Sequence, residues 1–201
     1  MRLVAEGLGH RFPGQPPLFA DLSFDLRPGV LYGLVGPSGS GKSTLLSILS
    51  GGLRPSNGNI EAIGVDRIGW IMQNPVGAPR RTAIDQVAVP LLARGLLRRE
   101  AEPQARDLLD RFGLAHVAAR EFRRLSGGEA QRMCLARAAA SDYDAILIDE
   151  PTAQLDRDTA HTIGDVIREM VSEERIVVLA THDELLRNRC DQILQVDPVA
   201  P

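Results

Sequence analysis

Apolar and polar positions along this chain follow two periods, a strand-like one at both ends and a helical one in the middle. From Leu3 to Leu8 and from Leu18 to Leu26 (LFADLSFDL) apolar and polar residues partly alternate, which predicts short half-buried strands. The Pro/Gly cluster from Pro13 to Pro17 predicts a hairpin connection between them. Val30 to Val35 (VLYGLV) is continuously apolar, as a strand covered on both faces would be, and Ser43 to Leu49 (STLLSIL) opens a helix. Arg54 to Gly64 (RPSNGNIEAIG) reads as turn-rich, and Ile68 to Met72 as a buried strand ending at Gln73. From Thr82 to about Leu135 the period is helical. Thr82 with Asp85 three residues on predicts a capped helix start before apolar Ile84, Val87, Ala88 and Leu91, a helix that Pro90 should kink or end. Pro103 to Phe112 puts Leu108, Leu109 and Phe112 on one face, and the Arg/Glu run from Arg98 to Glu102 predicts a solvated surface. The last third returns to βα alternation. Ala145 to Ile148 and Ile176 to Ala180 read as buried strands, Thr159 to Val171 as the helix between them, and Ile193 to Val196 as a terminal strand. Together these predict an α/β fold with a mostly parallel sheet flanked by helices.

Composition narrows the class. With 201 residues, 44% hydrophobic and 24% charged, the chain has the material for one globular domain and a sizeable core. A formal charge of −3 argues against a nucleic-acid footprint. No apolar run approaches the roughly 18 residues of a membrane span, and the N-terminus lacks the basic-then-apolar pattern of a secretory leader. The expected location is therefore the cytosol. Cys134 and Cys190 lie far apart without a CxxC, which predicts buried structural thiols.

Lysine usage changes the picture more. Among 23 Lys and Arg residues one is lysine, Lys42, inside the run Gly36, Pro37, Ser38, Gly39, Ser40, Gly41, Lys42, Ser43, Thr44. A compact ammonium on a flexible stem has been kept where a planar guanidinium fits poorly. The spacing is that of a phosphate-binding loop: glycines curl the backbone so that amides point inward, and the following helix adds its positive end. Lys42 would reach the β- and γ-phosphates, and Ser43 would place its hydroxyl on Mg²⁺. The glycines alone would equally suit a flexible turn, but the strand before and the helix after supply the required setting.

Two further segments carry chemistry. Ile146-Leu147-Ile148 delivers Asp149 and Glu150 at its C-terminal end, where open α/β sheets bind ligands. Asp149 suits a Mg²⁺ shell and Glu150 the orientation of an attacking water, although a strand can also simply end in a polar turn. Leu125-Ser126-Gly127-Gly128-Glu129 opens a second helix with exposed amides and a serine hydroxyl, suited to a γ-phosphate. One chain does not need two cradles for one nucleotide. The second would serve a nucleotide held by another copy.

With these motifs in order, the chain resembles the ATP-binding-cassette ATPases over essentially its whole length. LSGGEAQR is similar to their signature sequence. The resemblance implies a P-loop NTPase with an N-terminal antiparallel β-subdomain and an inserted helical subdomain, with the ATP-binding core at 1–80 and 141–201 and the helical part at about 81–140. It also implies that Gln73 touches Mg²⁺ and the γ-phosphate, that Phe12 stacks on adenine, and that Ala153-Gln154-Leu155-Asp156 crosses a dimer interface. His182, in Thr181-His182-Asp183, would contact the γ-phosphate. It further implies ATP and Mg²⁺, a head-to-tail dimer of two copies, separate integral membrane permease subunits, and a place at the cytoplasmic face of the membrane. The segment from Thr82 to Leu114 resembles cassettes of macrolide-exporter and lipoprotein-release systems, which implies extrusion of a lipoprotein, drug, peptide or haem. Three departures stand out. Lys42 to Gln73 is short, which predicts a trimmed surface excursion. Ala153 replaces the usual serine of the interface loop. The nineteen residues beyond His182 predict no appended regulatory domain. Non-transport cassette ATPases of DNA repair or translation are the alternative, expected to need a long coiled coil or two cassettes in one chain. A nucleotide kinase or simple switch would not need LSGG.

Overall fold

The computed structural model describes residues 1–152 and 156–198, with Arg157 described in its backbone only. The described residues form two compact units. The first comprises Met1–Trp70, Asp144–Glu150 and residues 171–198, and the second Ile71–Tyr143 and the described part of Pro151–Met170.

The first unit contains two sheets. β1 (Arg2–His10), β2 (Phe19–Leu26) and β4 (Asn57–Ile63) form a three-stranded antiparallel sheet in the order β2-β1-β4. β3 (Leu31–Val35), β5 (Ile68–Ile71), β6 (Ala145–Asp149), β7 (Ile176–Ala180) and β8 (Gln192–Gln195) form a second sheet in the order β5-β6-β7-β3-β8. Here β6 with β7, β7 with β3 and β3 with β8 are parallel. Every residue of β6 and β7 is buried, which is why, Asp149 at the end of β6 apart, they read as apolar runs. Alternate residues Leu147 and Val178 join Leu3, Leu8, Phe19, Leu34 and, from helix α1 (Lys42–Leu49), Leu45 and Leu49 in one core. The turn-rich reading of 54–64 missed β4. Its side chains are nearly all exposed, so no apolar alternation marks it, and its pairing with β1 alone makes it a strand.

The second unit is mostly helical: α2 (Ala83–Ala93), α3 (Arg98–Arg111), α4 (Gly127–Ala140) and α5 (Arg157–Glu169), with short 3-10 turns at Ala115–Val117 and Phe122–Arg124. Thr82 caps α2, its hydroxyl accepting from Asp85 N at 3.2 Å and donating to the Asp85 carboxylate at 2.6 Å. Pro90 does not end α2, which runs to Ala93; it lies within the last turn, where one lost backbone bond is tolerated. α3 begins five residues before Pro103, and the Arg98–Glu102 run forms its first turn. That turn is exposed except at Ala101 and Glu102, and Ala101, Ala105, Leu109 and Phe112 make the buried stripe. In the first unit a one-turn helix α6 (Glu184–Arg187) connects β7 to β8. No described helix is long and apolar enough to cross a membrane.

Candidate functional site

Parallel register brings the chemistry of the first unit to one edge. Leu34 of β3 and Asp149 of β6 both stand opposite Ala180 of β7, so the loops leaving β3, β6 and β7 emerge side by side. The loop after β3 is Gly36–Gly41, and α1 starts at Lys42. Gly39 and Gly41 adopt φ of 80° and 100°. Gly41 is constrained twice, because a Cβ there would also come within 2.7 Å of Leu18 and 2.8 Å of Phe19. A Cβ on Gly36 would lie 2.2 Å from the Val196 carbonyl oxygen. The Lys42 ammonium is buried and donates to the carbonyls of Gly36 at 2.9 Å and Pro37 at 3.2 Å, folded back across the loop it would serve. The buried Ser40 hydroxyl has no hydrogen-bond partner.

Asp149, at the end of β6, is buried close to the Ser43 hydroxyl, and its Oδ1 is without a partner. Burial pushes its carboxyl above the usual range and the neighbouring Glu150 adds to this, against the Ser43 hydrogen bond and the Lys42 charge. A buried carboxylate with a free oxygen beside a serine hydroxyl fits a Mg²⁺ that takes few protein oxygens and completes its shell from phosphates and water. Glu150 follows with φ of 46°, a left-handed conformation unusual for a residue with a side chain, fixed by its N–H donating to Ala180 O at 2.9 Å. That turn aims its carboxylate at His182, whose Nδ1 lies 2.8 Å from Glu150 Oε2. The glutamate side chain is 12% exposed and the imidazole 71%. Thus Gly36 to Thr44, Asp149, Glu150 and His182 are gathered on one edge of one sheet.

Phe12 projects from the β1–β2 loop, 40% exposed. The remaining predicted residues belong to the second unit. Gln73 is exposed just after β5. Ser126 caps α4, its hydroxyl accepting from Glu129 N at 3.3 Å while the Glu129 carboxylate accepts from Ser126 N at 2.7 Å. This reciprocal cap leaves the amides of Gly127 and Gly128 in the first turn without intrahelical partners. Ser126 and Gly127 are exposed. These hydrogen bonds, with burial opposing, hold the Glu129 carboxyl below its usual range, helped by Arg120 and His116. Asp156 caps α5, accepting from Thr159 N at 2.9 Å. Ala153, Gln154 and Leu155 lie outside the described residues.

Sequence reasoning passed over the residues that brace these positions. Thr181 is fully buried, its N–H donating to Leu34 O at 3.2 Å and its hydroxyl accepting from Asp183 N at 3.0 Å, which ties the His182 turn to β3. Gln86 accepts from Ala78 N at 3.0 Å and from Arg137 Nη1 at 3.3 Å, and Arg137 Nη2 donates to Val76 O at 2.9 Å. Gln131 donates to Met72 O at 3.2 Å. Side chains of α2 and α4 therefore clamp the carbonyls and amides on both sides of Gln73. A glutamine within the apolar stripe of α2 was the available signal.

Comparison with known proteins agrees in family and fold. The family profile described as "ABC transporter" matches residues 19–153. The chain is 39% identical over 192 residues to an ABC transporter ATP-binding protein of Mycobacterium tuberculosis (strain CDC 1551 / Oshkosh), covering 88% of this chain and 58% of that protein. It is 37% identical over 205 residues to the lipoprotein-releasing system ATP-binding protein LolD of Koribacter versatilis, covering 92% of each. The chain thus spans little more than half the length of the first relative and nearly all of the second. It superposes on a dimeric ATP-binding cassette in a post-hydrolysis state bound to ADP and Pi with a TM-score of 0.85 at 24% identity, over 98% of this chain and 97% of that one. A dimeric bacterial ABC transporter cassette gives 0.83 at 26%, over 97% and 94%.

Proposed function

The chain belongs to the ABC transporter family, and from that premise we propose that it binds and hydrolyses ATP to drive extrusion of a lipophilic cargo through separate membrane subunits. The cargo class is that of a lipoprotein, by likeness to the lipoprotein-releasing relative. The observation that carries the reading is the gathering of Lys42, Ser43, Asp149, Glu150 and His182 at the C-terminal edge of β3, β6 and β7.

Phosphoryl transfer asks the protein for positioning and charge stabilisation rather than covalent chemistry. Lys42 turns from the Gly36 and Pro37 carbonyls to the β- and γ-phosphates, and the loop amides neutralise the rest. Ser43 and Asp149 would hold Mg²⁺, which would supply charge to offset that developing on the phosphate oxygens. Glu150, poised by its left-handed backbone, orients the attacking water, and His182 holds that carboxylate before contacting the γ-phosphate. Phe12 stacks on the adenine. Gln73, Ser126, Gly127, Gly128 and Asp156 enter on their motifs: Gln73 as sensor of metal and permease, the signature serine and glycines as phosphate donors to the nucleotide of a second copy, and Asp156 in the interface loop. The dimeric bacterial cassette supports a dimer of two copies, and the need for a second cradle on each nucleotide supports a head-to-tail one. ATP then favours the closed pair by binding it better than the open one, and loss of the bridging phosphate reopens it.

Glu150→Gln tests the assignment. The variant should bind ATP at near wild-type affinity, accumulate as a dimer in ATP on gel filtration, and lose at least a hundredfold in turnover. Near wild-type hydrolysis would remove Glu150 from the role, and ATP-independent elution would argue for a monomeric phosphate-loop enzyme.

A further inference from the structure

Phe12 is an exposed ring in a loop whose residues 11–17 are all exposed, yet an aromatic that must stack on a base gains affinity only if its orientation is set beforehand. His10 supplies a contact that can set it. It is the last residue of β1, only 7% exposed, and its ring meets that of Phe12 edge to face, with centroids 4.8 Å apart and an interplanar angle of 82°. The imidazole is anchored from its far side. Ser56 Oγ lies 3.4 Å from His10 Nδ1, accepts from Arg11 N at 3.1 Å and donates to Arg11 O at 3.2 Å, while Ser56 N donates to Gly9 O at 2.9 Å. The loop is closed by Leu18 N donating to His10 O at 2.8 Å. One serine, just before β4, thus fixes both the backbone and the ring on which Phe12 rests.

The hydrogen bonding of that imidazole is incomplete whichever tautomer is present. The Ser56 hydroxyl has one proton. If it goes to Arg11 O, Nδ1 is the donor and Nε2 is an acceptor; if it goes to Nδ1, Nε2 carries the proton. In both cases Nε2 is buried without a partner. The Ser56 contact satisfies one of the two ring nitrogens and leaves the other buried at a cost, and the further contact that the buried ring makes is the edge-to-face one with Phe12.

We propose that His10, anchored by Ser56, is a positioning residue for the nucleotide base: it holds the Phe12 ring in the orientation that stacks on adenine. This rests on the reading of Phe12 as the stacking residue. His10 then contributes to affinity for a nucleotide that carries a base and not to affinity for the phosphate chain alone, and it acts only through Phe12.

Binding of ATP and of inorganic tripolyphosphate, each with Mg²⁺, is measured by calorimetry on the full chain and its variants. His10→Ala should weaken ATP about three- to tenfold, the range expected from losing an edge-to-face ring contact, and leave tripolyphosphate within twofold. His10→Phe, which keeps the ring, should restore ATP affinity, and Ser56→Ala should show an intermediate loss. Adding His10→Ala to Phe12→Ala should cost nothing further. Unchanged ATP affinity in His10→Ala, equal weakening of both ligands, a further loss in the double variant, or failure of His10→Phe to restore binding would each overturn the proposal. If Phe12→Ala itself leaves ATP affinity unchanged, the stacking assignment fails first; if Phe12→Ala weakens ATP and His10→Ala does not, only the role of His10 is lost. Should His10→Ala not fold, His10→Phe and Ser56→Ala measured against wild type decide in the same way.

Discussion

Gly41 illustrates how much of this site is set by single residues. Its φ of 100° and the 2.7 Å approach of Leu18 to a virtual Cβ leave no room for another side chain. Gly41→Ala should therefore lower stability by about 1–3 kcal/mol, seen as a fall of several degrees in melting temperature, and abolish nucleotide binding by distorting the start of α1. Lys42→Ala removes an ammonium already buried against the loop carbonyls, and calorimetry should detect no ATP binding in the low-millimolar range. Glu129 carries a pH signature. Its carboxyl is held below its usual range by the cap with Ser126, so the stabilisation is fully present above the unfolded pKa of about 4.5 and is lost as pH falls through the lower folded value. Glu129→Gln should cost about 1 kcal/mol at pH 7 and progressively less as pH is lowered below about 4.5, compared by urea unfolding across that range. Lys42, Ser43 and Ser126 were legible as residues because their neighbours fix what they can do. The left-handed turn at Glu150 was not, because the hydrogen bond to Ala180 that accompanies it comes from a strand distant in sequence.

Elements whose burial is uniform or periodic were the easiest to read. β7 is apolar throughout and β6 up to its terminal Asp149, and α2 and α4 begin at polar caps that the sequence displays. β4 was hidden because an exposed strand paired on one side shows neither pattern. Pro90 and Pro103 misled in the opposite direction: Pro90 sits in the last turn of α2, and α3 continues through Pro103 although that ring removes one interior backbone bond. The braces between elements have consequences of their own. Gln86→Leu removes the acceptor for Ala78 N and one partner of Arg137, so it should destabilise by about 1–3 kcal/mol. Hydrogen exchange should rise most at Ala78, in the segment after Gln73, with little change in β3, β6 and β7. Uniform exchange across the chain would mean that the clamp is not local.

At the scale of the whole molecule, the proposal asks for more than one chain, and this is where its widest prediction lies. Replacing Ser126 by arginine alters an exposed helix start in the second unit and leaves the residues of the phosphate loop and the paired carboxylates unchanged. Ser126→Arg should bind ATP as a monomer with wild-type affinity, yet fail to form the ATP-dependent dimer when combined with Glu150→Gln, as read by light scattering. A dimer of undiminished stability would remove the signature segment from the shared site. By itself the sequence determined the α/β class, the glycine-rich loop between β3 and α1, the paired carboxylates after a buried strand and the capped start of α4, because each depends on neighbours within a few residues and on periods set by helix and strand geometry. Tertiary structure alone decided what depends on strand order. Parallel pairing of β6, β7 and β3 brings Glu150 to His182 and Asp149 to Ser43, and antiparallel pairing of β1 with β4 sets Ser56 against His10. Such contacts join residues far apart in sequence, and no local pattern records which strand lies beside which.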